Sequence, residues 1–314
     1  MKNLRYISAQ PASVYYAWQV EVMLNNFIKN GISPENIHVV CSHPTTDSFE
    51  MWSSLQKRFS KVGFFFYSDT REGKIYIPSI VPSLLKKHFK EHPYLRDEAI
   101  FNHDNDMVFT GPVDWNKFLH DDVWYLSDTS AYIGADYIKS KKFGIYEEMC
   151  RIVGIAENIP QDNQNNTGGA QYIMKNIDSE FWEKTEKDAV SLYSFFMEHL
   201  KSHPETDDYY PIQMWTAGMW SQLWNGWYFG HTITTTDEMD FLWPHEPVSW
   251  WENKKIYHNS GVVATSPSTT FSKNKYQQKL PYDIKLEDFN PEICSFKYVE
   301  NIVSTAKTSC LIAP

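Results

Sequence analysis

Two aspartates, Asp104 and Asp106, stand two residues apart in the segment Ile100-Phe-Asn-His-Asp-Asn-Asp-Met-Val-Phe109. They follow a short apolar run that predicts a strand, and on an extended chain residues two apart point to the same side. Carboxylate oxygens suit Mn²⁺ and Mg²⁺. At the carboxyl end of a parallel strand, where α/β sheets bind ligands, this pair predicts a divalent-metal site. Alone, the same pattern also occurs in surface turns.

A histidine far downstream is the third candidate metal ligand. His258 follows the apolar pair Ile256-Tyr257 and precedes Asn-Ser-Gly261, which favours a tight turn. A neutral imidazole could complete the coordination of a metal held by Asp104 and Asp106, although a lone histidine is often only structural. A metal there would neutralise the charge on a departing diphosphate.

Strand and helix patterns alternate in the first half of the chain, which predicts an α/β fold with a mainly parallel sheet flanked by helices. The apolar spacing and the turn residues predict strands at 5–9, 37–41, 63–67 and 99–102, and helices at 14–30, 49–59 and 78–90. Beyond Asp106 they predict strands at 123–126 and 170–174, helices at 141–153, 191–201 and 212–223, and a polar loop at 161–169. From about residue 266 the chain is polar and carries few signals.

Size, charge and composition limit the class of protein. The 314 residues favour a single domain in three parts, with one half at 1–110, another at 111–265 and an extension at 266–314. A net charge of −10 argues against a general affinity for nucleic acid. We expect a cytoplasmic protein without membrane contact, because no apolar run approaches the roughly 20 residues of a membrane span. Four scattered cysteines that form no close pair predict reduced thiols, and we infer no obligate protein partner. Two groups of lysines could form local basic faces or solvated surface: Lys139, Lys141 and Lys142, and Lys273, Lys275, Lys279 and Lys285.

Four segments together resemble the hydroxyproline O-arabinosyltransferases and the peptidyl-serine galactosyltransferases. They are Val14–Met23, Asp104-Asn-Asp-Met-Val-Phe-Thr-Gly-Pro112, Asn166-Thr-Gly-Gly-Ala-Gln171 followed by Ile173-Met-Lys, and Trp251–His258. The resemblance spans roughly residues 5–265 through short motifs. It implies the GT-A glycosyltransferase fold, which is Rossmann-like, with Mn²⁺ or Mg²⁺ as cofactor and a UDP-sugar as donor. It favours arabinose, with galactose or glucose as alternatives.

The acceptor that the resemblance implies is a hydroxyl group. The resembling families act on secreted proteins, whereas this sequence shows no secretion signal. By analogy, T-even-type viruses use cytoplasmic glycosyltransferases, some of them arabinosyltransferases, on hydroxymethylated bases of their own DNA. 5-Hydroxymethylcytosine in viral DNA, reached in the host cytoplasm, is therefore one expected acceptor, and a protein or glycan hydroxyl is the other.

A glycosyltransferase of this fold would have its nucleotide-binding half at 1–110 and its sugar and acceptor half at 111–265, which suggests roles for further residues. In GT-A enzymes the first acidic residue of the metal motif often contacts the ribose or reaches the metal through water, so Asp104 could have either role. The nucleotide is expected near Ser8, Gln10 and Trp18, with Asp69, Arg71 and Asp104 as further contacts, although Trp18 could simply pack its helix. The sugar and acceptor are expected at Asn166, Gly168, Gly169, Gln171, Trp251 and Ser260, where the adjacent glycines would let a ligand approach the backbone. Asp106 is one expected catalytic residue. An inverting mechanism would also need a general base, for which the candidates are Asp128, Asp237, Glu238 and Glu246. The resembling families favour retention of configuration.

Two other classes of protein fit parts of the sequence. Asp104-Asn-Asp106-Met-Val108 matches the Asp-x-Asp-x-Val pattern of haloacid-dehalogenase-type phosphatases, in which the first Asp is the nucleophile, although that pattern normally follows the first strand. A non-catalytic carbohydrate-binding module could use exposed tryptophans as stacking surfaces, namely Trp215, Trp220, Trp224, Trp227, Trp250 and Trp251. The helical rhythm of 215–227 instead favours a core-facing helix.

Overall fold

The computed structural model describes residues 2–311. Its strands are β1 (Leu4–Gln10), β2 (Ile37–Ser42), β3 (Gly63–Tyr67), β4 (Ala99–Asn102), β5 (Met107–Phe109), β6 (Trp124–Asp128), β7 (Gly168–Lys175), β8 (Ile233–Thr235), β9 (Phe241–Leu242) and β10 (Ile256–His258). Its helices are α1 (Val14–Lys29), α2 (Phe49–Arg58), α3 (Ile80–Glu91), α4 (Ser130–Ile133), α5 (Ala135–Ser140), α6 (Ile145–Val153), α7 (Asn158–Asp162), α8 (Ser179–Ser202), α9 (Ala217–Tyr228) and α10 (Cys294–Ala306). The fold is mixed α/β, as predicted.

The described residues form two compact units, and the chain passes between them more than once. One unit contains residues 5–68, 103–117 and 238–311. In it, β1, β2 and β3 pair in parallel, with Gln10 opposite Cys41 and Cys41 opposite Phe66. A second small sheet joins β5 to β10 in antiparallel fashion and β10 to β9 in parallel. The unit therefore combines a parallel β-α-β-α-β start with a short mixed sheet from distant parts of the chain.

The other unit contains residues 2–4, 69–102 and 118–237. Its strand β7 lies between β4 and β6 and runs antiparallel to both, while β8 runs parallel to β6. The register between β6 and β7 shifts at Leu126 and Ser127, which marks a β-bulge. Helices α8 and α9 contribute large buried side chains here, among them Trp182, Trp220 and Trp224.

Helix α1 shows why the first half of the chain could be predicted. Val20, Met23, Leu24 and Phe27 recur at helical spacing and have no more than 1% of their surface exposed. Gly31 follows the helix with φ +91°, a conformation that favours glycine, so the chain turns where expected. The predicted β3 has the expected bounds, but its three phenylalanines are only half-buried because, among the described residues, β3 pairs with β2 alone.

The second half departs from prediction in several places. The helix predicted at 141–153 begins only at Ile145, because Lys142, Phe143 and Gly144 all have positive φ. The polar loop predicted at 161–169 is partly helical, and its two glycines already belong to β7. Helix α8 starts twelve residues before the predicted 191, capped by the side chain of Asp178. The polar tail contains α10, a helix that the sequence analysis missed.

Candidate metal centre

The small sheet brings the two distant metal-ligand motifs together. Asp106 immediately precedes β5, and His258 is the last residue of β10. The antiparallel register sets Met107 opposite His258, and the backbone N–H of Asn259 donates to the carbonyl oxygen of Asp106 over 3.0 Å. Pairing of three residues on each strand is therefore enough to place the late histidine beside the early aspartate.

The three predicted ligands converge on one point. Nε2 of His258 lies 3.1 Å from Oδ1 of Asp106 and 3.4 Å from Oδ2 of Asp104. One ligand atom from each residue lies within 4.8 Å of the others. The side chains of Asp106 and His258 are 3% and 6% exposed, whereas that of Asp104 is 59% exposed. A cation could therefore enter from the Asp104 side and reach two buried ligands.

The local backbone differs from the extended chain that was predicted. Asn105 and Asp106 form a turn between β4 and β5, and β4 runs antiparallel to its neighbour β7. The expectation of two carboxylates side by side on an extended strand was therefore wrong in detail. The carboxylates still meet the same imidazole, because the turn brings Asp104 and Asp106 to one side of His258.

The charges in this cluster fix the protonation states without a metal. Burial alone would lower the pKa of His258, but the carboxylates of Asp106 and Asp104 outweigh it and raise that pKa to about 9. Burial would raise the pKa of Asp106, but Lys273 and His258 hold it well below its ordinary value. Asp106 is therefore ionised at neutral pH and His258 carries a proton. A divalent cation would take the place of that proton, because a metal ligand must be neutral imidazole.

Two carboxylate oxygens and an imidazole nitrogen fit Mn²⁺ or Mg²⁺. Hard oxygen donors suit both ions, and imidazole shifts the preference toward a transition metal such as Mn²⁺. Nδ1 of His258 is buried and makes no hydrogen bond among the described residues. The donor set leaves coordination positions for phosphate oxygens or water, which a catalytic rather than a structural metal needs.

Lys273 is a functional candidate that the sequence analysis placed on a basic face or in solvated surface. Its ammonium pairs with Oδ2 of Asp106, opposite the oxygen that faces His258. The side chain is 27% exposed and begins the short 3₁₀ turn Lys273–Tyr276. Burial would lower the pKa of Lys273, but Asp106 and Tyr15 outweigh it and hold that pKa above its ordinary value. No pattern of spacing marks this lysine, since only the fold brings it to Asp106.

The residues expected near the nucleotide on β1 and α1 differ in accessibility. Ser8 and Gln10 lie on one face of β1 and are 1% and 3% exposed. Oγ of Ser8 and Oε1 of Gln10 have no hydrogen-bond partner among the described residues, while Nε2 of Gln10 contacts Sγ of Cys41 at 3.2 Å. Trp18 is fully buried, and its indole N–H donates to the carbonyl of Tyr276 over 3.3 Å. The structure therefore favours the packing role for Trp18.

Asp69 and Arg71 form a local clamp in the other unit. The guanidinium of Arg71 donates to both carboxylate oxygens of Asp69, at 2.9 and 3.0 Å. It also donates to the carbonyl of Ile77 and the hydroxyl of Ser79. With these bonds Arg71 holds the loop before α3 in place.

The predicted sugar and acceptor segment lies on and before β7. Asn166 accepts a hydrogen bond from the hydroxyl of Thr234 over 3.2 Å, and Gln171 is 1% exposed. A Cβ atom on Gly168 would lie 1.9 Å from both Leu126 Cδ1 and the Ser127 carbonyl. A Cβ on Gly169 would lie 2.6 Å from the methyl group of Met219. Gly168 is therefore required for packing within the unit, because one of its neighbours is backbone. At Gly169 the neighbour is the flexible end of Met219, which can shift.

The remaining predicted site residues are dispersed. Trp251 is half-buried and packs against the ring of Tyr257. Tyr257 and His258 are successive residues of β10, so their side chains point to opposite faces of the strand. Ser260 is half-buried two residues after His258. Asp128 is exposed and accepts from the backbone of Ser130, and Asp237 is exposed at the start of a 3₁₀ turn.

The other two candidate bases are already engaged. Glu238 forms ion pairs with Lys117 and Lys255. Oε2 of Glu246 accepts from the backbone N–H of Trp243 over 2.7 Å. Each carboxylate therefore holds local structure in its own unit.

The two alternative classes fit the structure less well. Four strands, β1 to β4, precede Asp104 in the chain, whereas the phosphatase pattern follows the first strand. Among the tryptophans proposed as stacking surfaces, Trp220, Trp224 and Trp227 are buried, as the helical rhythm predicted. Trp215 and Trp250 are 59% and 45% exposed. A row of exposed rings along α9 is therefore absent from the described residues.

Comparison with known proteins identifies the fold. No protein-family model and no curated protein matches the sequence. Among solved structures, the bifunctional glycosyltransferase WbbM matches with a TM-score of 0.50 and 11% identity, over 96% of this chain and 50% of WbbM. This chain thus spans half the length of WbbM. The galactosyltransferase LgtC matches with a TM-score of 0.45 and 10% identity, over 95% of both chains. Mouse xyloside xylosyltransferase 1 matches with a TM-score of 0.41 and 10% identity, over 84% of this chain and 99% of that one.

The match to WbbM extends over nearly the whole chain, and at this identity it is evidence of fold alone. The chain has a GT-A-type α/β fold, as the sequence analysis expected. Among residues 2–311, no helix combines the length and the apolar character that crossing a membrane requires.

Proposed function

We propose that the protein is a metal-dependent glycosyltransferase that moves a sugar from a UDP-sugar to an acceptor hydroxyl. The observation that carries this proposal is the convergence of Asp104, Asp106 and His258 in a GT-A-type fold. A phosphatase would not need the histidine, and a binding module would need neither the buried carboxylate nor its charge. The fold makes a glycosyltransferase plausible, and the residues of the site supply the chemistry that such an enzyme needs.

The residues of the cluster divide the work on the donor. Asp106 and His258 would hold Mn²⁺ or Mg²⁺ from the buried side, and Asp104 would hold it from the exposed side. A bound divalent ion supplies Lewis-acid stabilisation of the diphosphate that leaves the sugar. Lys273, already beside Asp106, would add a second positive charge for the same phosphates. Fixed charges that face a developing negative charge usually contribute most of the rate enhancement.

The nucleotide would then lie along the carboxyl end of β1. The buried Oγ of Ser8 and Oε1 of Gln10, both without partners among the described residues, are free to contact it. Asp104 could contact the ribose as well as the metal. The sugar and acceptor would contact Asn166, Gln171, Trp251 or Ser260, and an inverting reaction would require a base such as Asp128 or Asp237.

The resemblance described above favours arabinose as the sugar and 5-hydroxymethylcytosine in viral DNA as the acceptor. Galactose and glucose are the alternative sugars, and a protein or glycan hydroxyl is the alternative acceptor. The net charge of −10 weighs against DNA, because DNA binding draws on positive charge. A DNA-modifying enzyme of this kind would therefore need a local basic face.

The test is a panel of UDP-sugars with Mn²⁺, in which released UDP is measured with and without DNA that contains 5-hydroxymethylcytosine. We expect one donor to be turned over in preference, and the acceptor to be the one that stimulates release. A hydroxyproline peptide and a simple glycan serve as parallel acceptors. Release of phosphate from a phosphomonoester, without turnover of any UDP-sugar, would replace this proposal with the phosphatase.

A further inference from the structure

One face of α1 holds the segment that carries Lys273. Tyr15, Trp18 and Glu21 follow one another at intervals of three residues, so their side chains lie on the same side of the helix. We call residues 271–282 the strap. The indole of Trp18 donates to the strap carbonyl of Tyr276, and its ring meets the ring of Phe271 edge-on at 6.0 Å. Helix α1 therefore contacts the strap on both sides of Lys273.

Glu21 is a buried carboxylate with an unusual number of partners. It has no exposed surface, and it forms an ion pair with Arg58 of α2 at 2.6 Å. Its Oε2 accepts from the hydroxyls of Tyr282 and Ser309, at 2.5 and 2.6 Å. Its Oε1 also accepts from the backbone N–H of Cys310 over 2.9 Å. A buried charge with this many donors is stabilised in place, and so are the donors.

The strap is attached most firmly at its beginning, where Phe271 is fully buried and packs against Phe289 and Tyr298. Asn274, Lys275, Gln277, Gln278 and Lys279 are all exposed. At its beginning, the backbone N–H of Phe271 donates to the hydroxyl of Ser295 over 2.9 Å. At its end, Tyr282 reaches Glu21. After Tyr276 the next side-chain hydrogen bond of the strap among the described residues is the one from Tyr282 to Glu21, and the three exposed residues between them depend on it to stay ordered.

We propose that Glu21 is a positioning residue that holds the end of the strap on α1 and so keeps Lys273 beside Asp106. The inference rests on the proposed function, since Lys273 serves the donor phosphates only if the protein binds a nucleotide sugar. Glu21 itself touches neither the metal ligands nor Lys273. It acts through the hydroxyl of Tyr282.

Hydrogen exchange followed by mass spectrometry tests the attachment without any activity measurement. Tyr282→Phe removes one hydroxyl that donates to Glu21, and we expect amides in residues 273–282 to exchange about tenfold faster, because a hydrogen bond to a charged group is lost. Tyr276→Phe is the matched control, since it makes the same chemical change on the strap away from Glu21. Exchange in β1 and β2 should stay at the wild-type rate in both variants. Equal exchange in the two variants would overturn the proposal, and so would acceleration throughout the chain.

Two substitutions at Glu21 test whether a side chain that keeps the hydrogen bond to Tyr282 also keeps the strap attached. In Glu21→Gln the amide can donate to the hydroxyls of Tyr282 and Ser309, which then accept, so we expect the strap to exchange close to the wild-type rate. Glu21→Ala should match or exceed Tyr282→Phe. If Glu21→Ala does not fold, the tyrosine pair still decides the question. Faster strap exchange in Glu21→Gln than in Tyr282→Phe would show that the hydroxyl bond is not what holds the strap.

Turnover separates this inference from the function itself. In Tyr282→Phe we expect the KM for the UDP-sugar to rise by about tenfold with a smaller change in kcat, because in the proposed function Lys273 would contact the phosphates both before and during transfer. A wild-type protein that turns over no UDP-sugar would overturn the proposed function while the exchange result still supported the attachment. An unchanged KM, together with faster strap exchange, would overturn the link from the strap to the donor.

Discussion

Nε2 of His258 lies 3.1 Å from Oδ1 of Asp106. Next to this contact, the backbone N–H of Asn259 donates to the carbonyl of Asp106 at the end of the β5–β10 pairing. The pairing of β5 with β10 places the backbone of His258, and the contacts of its Nε2 with Asp106 and Asp104 orient the imidazole. Without a metal, this nitrogen carries a proton that the carboxylates stabilise. In the proposed metal site, the same nitrogen would lose that proton and serve as a ligand beside the two carboxylates.

His258→Gln should weaken Mn²⁺ binding by at least about tenfold, because one of three protein ligands is lost. The measurement is the free Mn²⁺ signal in electron paramagnetic resonance during titration. His245→Gln makes the same change at an exposed histidine of the same unit and should bind Mn²⁺ like the wild type. Equal affinity of the two variants would remove His258 from the site.

Lys273→Met should change metal binding and turnover in opposite directions. Loss of the ammonium frees Oδ2 of Asp106, so Mn²⁺ should bind more tightly. Loss of its charge beside the phosphates should lower kcat/KM for the UDP-sugar by about 10²-fold. Lys275→Met, two residues along the same exposed turn, is the control and should leave both quantities unchanged. Weaker Mn²⁺ binding in Lys273→Met would mean that the lysine does not compete with the cation.

Gly168→Ala should destabilise the protein by about 1–3 kcal/mol or more, because its Cβ would overlap the side chain of Leu126 and the backbone of Ser127. Urea unfolding measures the change. Gly111→Ala is the control, since a Cβ there meets nothing within 4 Å, and its stability should stay close to the wild type. A stable Gly168→Ala variant with impaired acceptor binding would instead support the ligand role predicted from the sequence.

Asp121→Asn should destabilise the protein at pH 7 and matter less in acid. Burial would raise the pKa of Asp121, but Lys175 and Tyr125 outweigh it and lower that pKa. A carboxyl group with a lowered folded-state pKa stabilises the fold above its unfolded pKa, and this contribution is lost as the pH falls through the folded value. Urea unfolding of both proteins from pH 7 down to the lowest pH at which both fold should show the difference shrinking. A constant difference would show that the ion pair with Lys175 is not its source.

The parts of the fold that could be predicted are the elements whose own residues show a clear pattern of apolar and polar positions. β3 and β4 have their predicted bounds, because each is an apolar run between polar or turn residues. Helix α10 escaped prediction although Tyr298, Val299 and Ile302 line its buried face, because polar residues dominate the tail around it. The metal ligands could be proposed because their residue types are rare together. Lys273 could not be proposed from the sequence. Its partner Asp106 lies in a distant part of the chain, and its neighbours in the sequence are the polar residues typical of an exposed lysine.

In the proposed function, Asp106 is a ligand of the metal ion on which the transfer of sugar from the nucleotide depends. The most direct measurement is the initial rate of UDP release from the preferred UDP-sugar, with Mn²⁺ and with chelator, for the wild type and Asp106→Asn. We expect chelator to stop UDP release by the wild type, and we expect Asp106→Asn to be slower by about 10³-fold or more while its unfolding curve stays near that of the wild type. Wild-type release that persists in chelator, or a folded Asp106→Asn that works at the wild-type rate, would contradict it.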